Sequence, residues 1–302
     1  MVETSKNGSK ASPIAAAVAL ALAGSLWGTA FLFGKIALRE MSVSTNVALR
    51  FCFGSLVLLP WLLRRTRRFT RRDFWTMLLA SVVGTPVEFL VQFKGLALTT
   101  VSHASLMVST LPILLALSAV FFLHEKLRLL EWSVLLFSTV GAVLISVSKA
   151  PQGPQPSIRG DLLVVLSMVA AVFLALLTKR LMEDYDPSYV TASMILAGTI
   201  FLVAGTAIFE RPRFAFSTRA WLAVAAQGLL ATAIAYLLWN WGMARLPAAK
   251  AGIFFNMEPL VGTLLGVVVL KETLGGLTIL GGAMIVCGAV YFSTKTNASE
   301  GR

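Results

Sequence analysis

The chain is predicted to be an all-α membrane protein, with ten transmembrane helices arranged as two inverted five-helix repeats. Three observations predict this. Over 302 residues, 57% are hydrophobic and 13% charged, with a mean hydropathy of +0.81. Ten apolar runs each approach the length of about 20 residues that crosses roughly 30 Å of hydrocarbon. The two halves of the chain also match each other at a constant offset.

The runs cover 12–36, 44–63, 73–97, 102–123, 130–147, 160–181, 188–208, 219–243, 248–269 and 275–293. They are solidly Leu, Ala, Val and Gly, without alternation at period two, so helices rather than barrel strands satisfy the backbone in lipid. The first run is too long for a cleaved signal peptide and nine more follow, so it reads as a retained first span. Cys52 and Cys287 both fall inside spans, which points to apolar packing and not to a disulfide framework or metal site.

The net charge of +12 could fit nucleic-acid binding, but its distribution points to a membrane. "RRTRRFTRR", Arg64 to Arg72, lies between spans two and three. With an inner N-terminus, 16 Lys/Arg fall on the inner side and 8 on the outer, with Arg50 and Lys94 inside spans. Both termini are therefore expected in the cytoplasm, although Arg211, Arg213 and Arg219 in one outer loop run against the trend. The arginine cluster reads as a topological anchor at anionic head groups.

At an offset of 147, Gly95, Ala104, Pro112, Glu125 and Gly141 meet Gly242, Ala251, Pro259, Glu272 and Gly288; at 144, Lys35 meets Lys179 and Gly54 meets Gly198. An odd number of spans per half forces the second copy to start on the opposite face, so the repeats are inverted. Such repeats open a central site alternately to each side. The expected organisation is a tail over 1–11, a first repeat over 12–147, an external linker over 148–159, a second repeat over 160–293 and a tail over 294–302. The stretch "SKAPQGPQPSIRG", Ser148 to Gly160, has the Pro and Gly content of a polar loop.

"LWGTAFLFGKIAL" in span one, "ALRFCFGSLVLLP" in span two, "TLPILLALSAVFFLHEKL" in span four and "NMEPLVGTLLGVVVLKETL" in span nine resemble the EamA branch of the drug/metabolite transporter superfamily. The resemblance covers residues from about 12 to 293. It implies a carrier exporting a small organic solute (an amino acid, related metabolite, organic amine or drug) across the bacterial inner membrane. It also implies that spans one to four and six to nine surround a cavity, with five and ten peripheral.

Ionisable groups at membrane depth are costly and mark function by default. Glu258 lies near the middle of span nine, beside Asn256 and directly before Pro259; Pro112 is the repeat mate of that proline. A proline inside a span frees a carbonyl that protein or water must cover, so both prolines are expected to mark a hinge or kink around a cavity that Glu258 faces. Glu258 is then either a protonatable element of the transport cycle or one half of a static ion pair with Arg50 or Lys94. Glu88 and Gln92 lie one turn apart on one face of span three. Span eight offers Tyr236 and Asn240 on one face, next to Trp239 and Trp241, which suit a partly apolar solute or form an interfacial belt. Lys35 and Lys179 read as interface anchors. "GTLLG", Gly262 to Gly266, favours close helix packing, with monomer or weak homodimer as the expected state.

No HExxH, paired aspartates, GxSxG or phosphate-binding Gly loop is present, and His103 and His124 lack neighbouring ligands. No catalytic residue, metal or cofactor is therefore expected, and the expected partners are a small solute, the bilayer and, through Glu258, a proton. The remaining alternatives on the same scaffold are a passive channel and a lipid flippase.

Overall fold

The computed structural model describes residues 12–63, 68–96, 98, 107–147, 157–210, 214–270 and 275–295. Arg64 to Arg67, His103, residues 148–156 of the linker, most of both tails and the side chain of Lys35 lie outside the described residues. Ten helical spans follow in order, and among the described residues there is no strand.

Span one is Pro13–Ala37 and span two Val43–Leu63. Span three runs through Arg71–Val82, a π-helical stretch Val83–Val87 and Glu88–Leu96. Span four is Leu111–Phe122, span five Leu129–Val147, span six Ile158–Leu181 and span seven Pro187–Phe209. Span eight joins Thr218–Ala226 to Ala235–Met243 through a π-helical stretch, Gln227–Ile234. Span nine begins as the short helix Ala248–Ala251, tightens into a 3₁₀ turn, Gly252–Asn256, and continues as Met257–Leu270. Span ten is Gly276–Lys295. Among the described residues, nine of these are long and apolar enough to cross a membrane. The 12-residue helix of span four covers only about 18 Å, shorter than the expected 102–123, of which 102–106 lie outside the described residues.

The starts of the spans are explained locally. Ser12, Thr70, Ser157, Asp186 and Ser217 each accept a backbone N–H of the first turn that would otherwise have no partner. Pro13 and Pro187 sit where their missing N–H costs nothing. Thr70 and Ser217 are 147 residues apart, so the two halves cap spans three and eight alike.

Packing shows the same symmetry. A Cβ on Gly95 would fall 2.9 Å from Gly160 O and 2.8 Å from Val164, whereas one on its mate Gly242 would fall 3.0 Å from Ala16 O and 2.6 Å from Leu20. Ala16 and Leu20 are the 144-offset mates of Gly160 and Val164, so span three meets span six as span eight meets span one. Ser55 and Thr199, also 144 apart, hydrogen-bond to each other at 2.8 Å, which places the pseudo-two-fold between them. The π-helical stretch Val83–Val87 maps onto the second half of Gln227–Ile234. Spans five and ten pack closely against one another, away from the centre.

Two ends can be told apart. Arg68, Arg71 and Arg72 lie at the arginine end, where Tyr185 donates to Asp73 at 2.8 Å and accepts from Thr70 N at 3.0 Å. At the opposite end Glu210 accepts from Ser42 at 2.7 Å and from Ser44, and Glu40 accepts from Ser217 N at 2.7 Å.

Candidate transport site

A cavity of about 370 Å³ lies between the halves, walled by spans one to four and six to nine, with Ser146 of span five at its edge. Ten of the residues singled out in the sequence line it, Glu258, Asn256, Pro259, Glu88, Gln92, Arg50, Tyr236, Trp239, Asn240 and Pro112, while Trp241 does not. Its lining reaches Leu38 and Ser146 at the end opposite the arginines.

The prolines stand at changes of helical geometry. Pro112 occupies the first turn of the span-four helix, and Pro259 falls in the first turn of Met257–Leu270, just after the 3₁₀ turn. Pro112 marks a helix start, where its missing N–H costs nothing, whereas Pro259 follows the change from 3₁₀ to α geometry inside the helical run of span nine and leaves the Phe255 carbonyl without its usual donor. Glu258 lies in the first turn of Met257–Leu270. The backbone of span nine at this level is braced by span one. A Cβ on Gly28 would lie 2.7 Å from Glu258 O and 2.9 Å from Gly262 N, and one on Gly24 would overlap Phe254 O.

Arg50 is 8% exposed. Its Nε donates to Thr232 Oγ1 at 2.9 Å and its Nη2 to Ala231 O at 3.2 Å, and its guanidinium carbon lies 5.5 Å from the ring centres of both Phe51 and Phe89. Both acceptors belong to the π-helical stretch of span eight, where the widened turn leaves backbone oxygen to be covered. Neither Glu258 nor Glu88 forms an ion pair with Arg50 among the described residues, although the three charges are electrostatic neighbours. Lys94 is exposed at the end of span three, outside the cavity lining. The static pair considered for Glu258 is therefore not formed in this state. Glu88 is 8% exposed and its Oε2 is a buried oxygen without a hydrogen-bond partner among the described residues.

Tyr236 and Trp239, at 8% and 4% exposure, are buried cavity residues and not an interfacial belt. They join Trp27 and Phe255 in an aromatic floor, with Trp27 stacked on Phe255 at 5.4 Å and 10°, and Trp239 tilted against Phe255 at 4.1 Å. Trp241 turns away and carries Arg245 over its ring at 4.0 Å. The amides are held by neighbours: Asn240 donates to Thr191 at 2.9 Å, Asn256 to Ser138 at 3.0 Å, and Asn46 to Gln227 at 3.3 Å. Trp27, Phe255, Asn46 and Gln227 were not anticipated. The two amides carried a usable signal, since they are polar groups inside apolar runs.

At the arginine end spans five, six, eight and nine and the segment after span four are fastened together. Lys179 donates to Met243 O at 2.8 Å and Leu246 O at 2.6 Å, and lies 3.8 Å from Glu125. Glu125 accepts from Ala248 N and Ala249 N, each at 2.8 Å. Lys250 pairs with Glu131 at 2.6 Å. Lys179 is thus turned into the protein and is not an anchor reaching for head groups.

Known proteins match this architecture. The model of the EamA-like transporter family matches residues 14–147 and 158–294, one match in each half. An uncharacterized transporter, YetK, of Bacillus subtilis (strain 168) is 26% identical over 279 residues, covering 90% of this chain and 84% of its own. A biotin transporter of Escherichia coli (strain K12) is 25% identical over 275 residues, covering 89% and 90%. A solved structure described as "Crystal structure of protein" superposes with a TM-score of 0.81 at 24% identity, over 95% of this chain and 99% of the other; at that identity it speaks for the fold. With a family match in each half and a ten-span bundle around a shared cavity, the chain belongs to the EamA-like transporter family and is a multi-pass membrane protein.

Proposed function

We propose that this protein is a secondary active transporter that exports a small organic solute across the inner membrane by alternating access, with Glu258 coupling transport to protons. The solute is an amino acid, a related metabolite or an organic amine. In this reading the arginine end and both termini are cytoplasmic and the fastened Lys179–Glu125 contacts close the cytoplasmic side.

The observation that carries the proposal is the cavity itself. It is walled by four spans from each inverted repeat, reaches toward one end and is fastened at the other. Exchanging the conformations of two such repeats turns the opening to the other face. Glu258 sits on the cavity wall in the first turn of a segmented helix, where a change of protonation acts on the element that must move. Among the described residues no cluster of His, Cys, Asp or Glu could hold a metal.

The test is flux in proteoliposomes with labelled amino acids, organic amines and biotin, with and without a pH gradient. A carrier gives saturable flux that solute on the far side stimulates; linear flux indifferent to it would indicate a channel. Glu258→Gln should retain exchange and lose the response of net flux to the pH gradient. Gradient-sensitive transport by folded Glu258→Gln protein would remove Glu258 from the coupling. Single cysteines within 148–160 should react with an impermeant thiol reagent on intact cells; protection there would reverse the assigned orientation.

A further inference from the structure

The two π-helical stretches are formed alike and held differently. Ala235 N donates to Leu230 O, five residues back, and its repeat mate Glu88 N donates to Val83 O, the mate of Leu230. Each stretch also seats a threonine on a glycine of the central pair of spans. A Cβ on Gly54 would lie 2.6 Å from Thr232, and one on its mate Gly198 would lie 2.5 Å from Thr85, the mate of Thr232. Helices widened in this way recur at functional sites.

What prevents an ordinary α-helix is not the same in the two halves. In span three Pro86 lies inside the widened turn, and its missing N–H leaves Val82 O without an α-helical donor whatever the rest of the molecule does. That bulge is built into the chain. Span eight has Ala233 at the position of Pro86, so nothing covalent stands against the α register. The carbonyl that α geometry would give to Ala235 N is Ala231 O. Arg50 Nη2 donates to that oxygen at 3.2 Å, while its Nε holds Thr232 Oγ1 at 2.9 Å. Met194, the 144-offset mate of Arg50, offers no such donor. The second bulge thus depends on a side chain that can let go.

The consequence falls on the cavity wall. If Ala231 O took the Ala235 amide, the piece that follows would turn by about 100°, one residue's share of a helical turn. That piece carries Tyr236, Trp239 and Asn240, all lining the cavity. The piece before it is tied down, with Ser217 N on Glu40 at 2.7 Å and Gln227 Nε2 on Ala30 O at 2.8 Å. We propose that Arg50 is a positioning residue: by holding Ala231 O and Thr232 Oγ1 it keeps the span-eight bulge open and so sets the rotation of Tyr236, Trp239 and Asn240 into the cavity. This goes beyond the transport reading and applies to whatever solute the cavity takes.

The test is fluorine NMR of the full-length protein in detergent, labelled with 5-fluorotryptophan and assigned by single Trp→Phe variants. Trp239 and its ring neighbour Trp27 report the piece after the bulge, and Trp221 reports the piece before it. Loss of hydrogen bonds from a charged donor should change the ratio of bulged to α-helical forms by about ten- to a hundredfold. Arg50→Met should therefore displace the Trp239 and Trp27 signals and leave Trp221 in place. Adding Ala233→Pro, which copies the other repeat, should return them to their wild-type positions although the charge is still missing. If either of these proteins does not fold, Thr232→Val and Thr232→Ser decide: the first removes the hydroxyl and must move Trp239, and the second keeps it and must not. Unmoved Trp239 and Trp27 signals in folded Arg50→Met, signals that Ala233→Pro does not restore, or equal spectra of the two Thr232 variants overturn the proposal. No solute is present in the assay, so failure here leaves the transport reading standing, and absence of flux leaves this inference standing.

Discussion

Lys179→Met is expected to unfasten the arginine end. In the described state its ammonium, 16% exposed, donates to Met243 O and Leu246 O at 2.8 and 2.6 Å and lies 3.8 Å from Glu125. Hydrogen bonds to a charged group contribute about 1.5–3 kcal/mol each. The two carbonyls lie where span eight ends, so water can take over part of the loss, and the pair together is taken as one such bond. A penalty of about 1.5–3 kcal/mol against the closed arrangement shifts its equilibrium with the open one by roughly ten- to a hundredfold. Glu125→Gln should shift it less, because the amide oxygen still accepts one of the two span-nine N–H groups. The assay uses protein with Cys52 and Cys287 replaced and a cysteine introduced at Ala175, a cavity position. Modification by an impermeant thiol reagent is timed from each side of oriented vesicles. Lys179→Met should raise the rate from the arginine side by about tenfold or more and lower it from the other. Equal rates in folded wild-type and variant protein would show that these contacts do not hold the end closed.

Two further predictions concern packing and pH. Gly28→Val places atoms against Glu258 O and Gly262 N, contacts already at 2.7 and 2.9 Å for a Cβ alone. It should cost about 1–3 kcal/mol and lower the melting temperature in detergent, while Gly205→Ala, with nothing within 4 Å, should be neutral or stabilising by about 0.5–1 kcal/mol; equal melting shifts would refute the close approach. Hydrogen bonds from Ser44 and Ser42 hold Glu210 below its ordinary value of 4.5, and the Ser217 side chain and backbone do the same for Glu40. Their contribution is therefore present above about pH 4.5 and lost as pH falls through the lowered values. A melting series from pH 7 to 3 should show a drop below that point that shrinks in Glu210→Gln, and an undiminished drop would remove Glu210 as its source.

The ten spans and the duplication were legible because lipid imposes them: backbone must pair within each span, and an apolar run of fixed length leaves little choice. Glu258, Glu88 and Arg50 stood out because a charge at that depth is rare. Other features left no comparable mark. Trp27 and Phe255 are apolar residues among apolar residues, and nothing local distinguishes a cavity floor from a packed core. The π-helical stretches have no residue signature, although the repeat that aligns Thr85 with Thr232 could have flagged them together. Pro112 and Pro259 were recognised as breaks, but a helix start and a helix bend both use proline, so the sequence did not show that Pro112 begins its helix while Pro259 follows a 3₁₀ turn. Lys179 was taken for an anchor because its acceptors, Met243 O and Leu246 O, lie more than 60 residues away.

Span nine connects closure to the cavity. Its first amides, Ala248 N and Ala249 N, are gripped by Glu125. Its 3₁₀ turn supplies Phe255 to the aromatic floor, and its α-helical piece carries Glu258 in its first turn. Span one bears on the same stretch three times within two turns: Gly24 against Phe254, Trp27 stacked on Phe255, and Gly28 against Glu258. Backbones this close slide or rotate as units, because any side chain bulkier than hydrogen would collide, so the contact has few intermediate positions. Release of Glu125 from the start of span nine would therefore be felt by Phe255 and Glu258 together and not by either alone. The 3₁₀ turn is the natural place for that motion, since its hydrogen bonds are poorer than those of the α-helix on either side. A solute resting on Phe255 and a proton on Glu258 would then act on one element, the same element whose first residues are fastened at the arginine end.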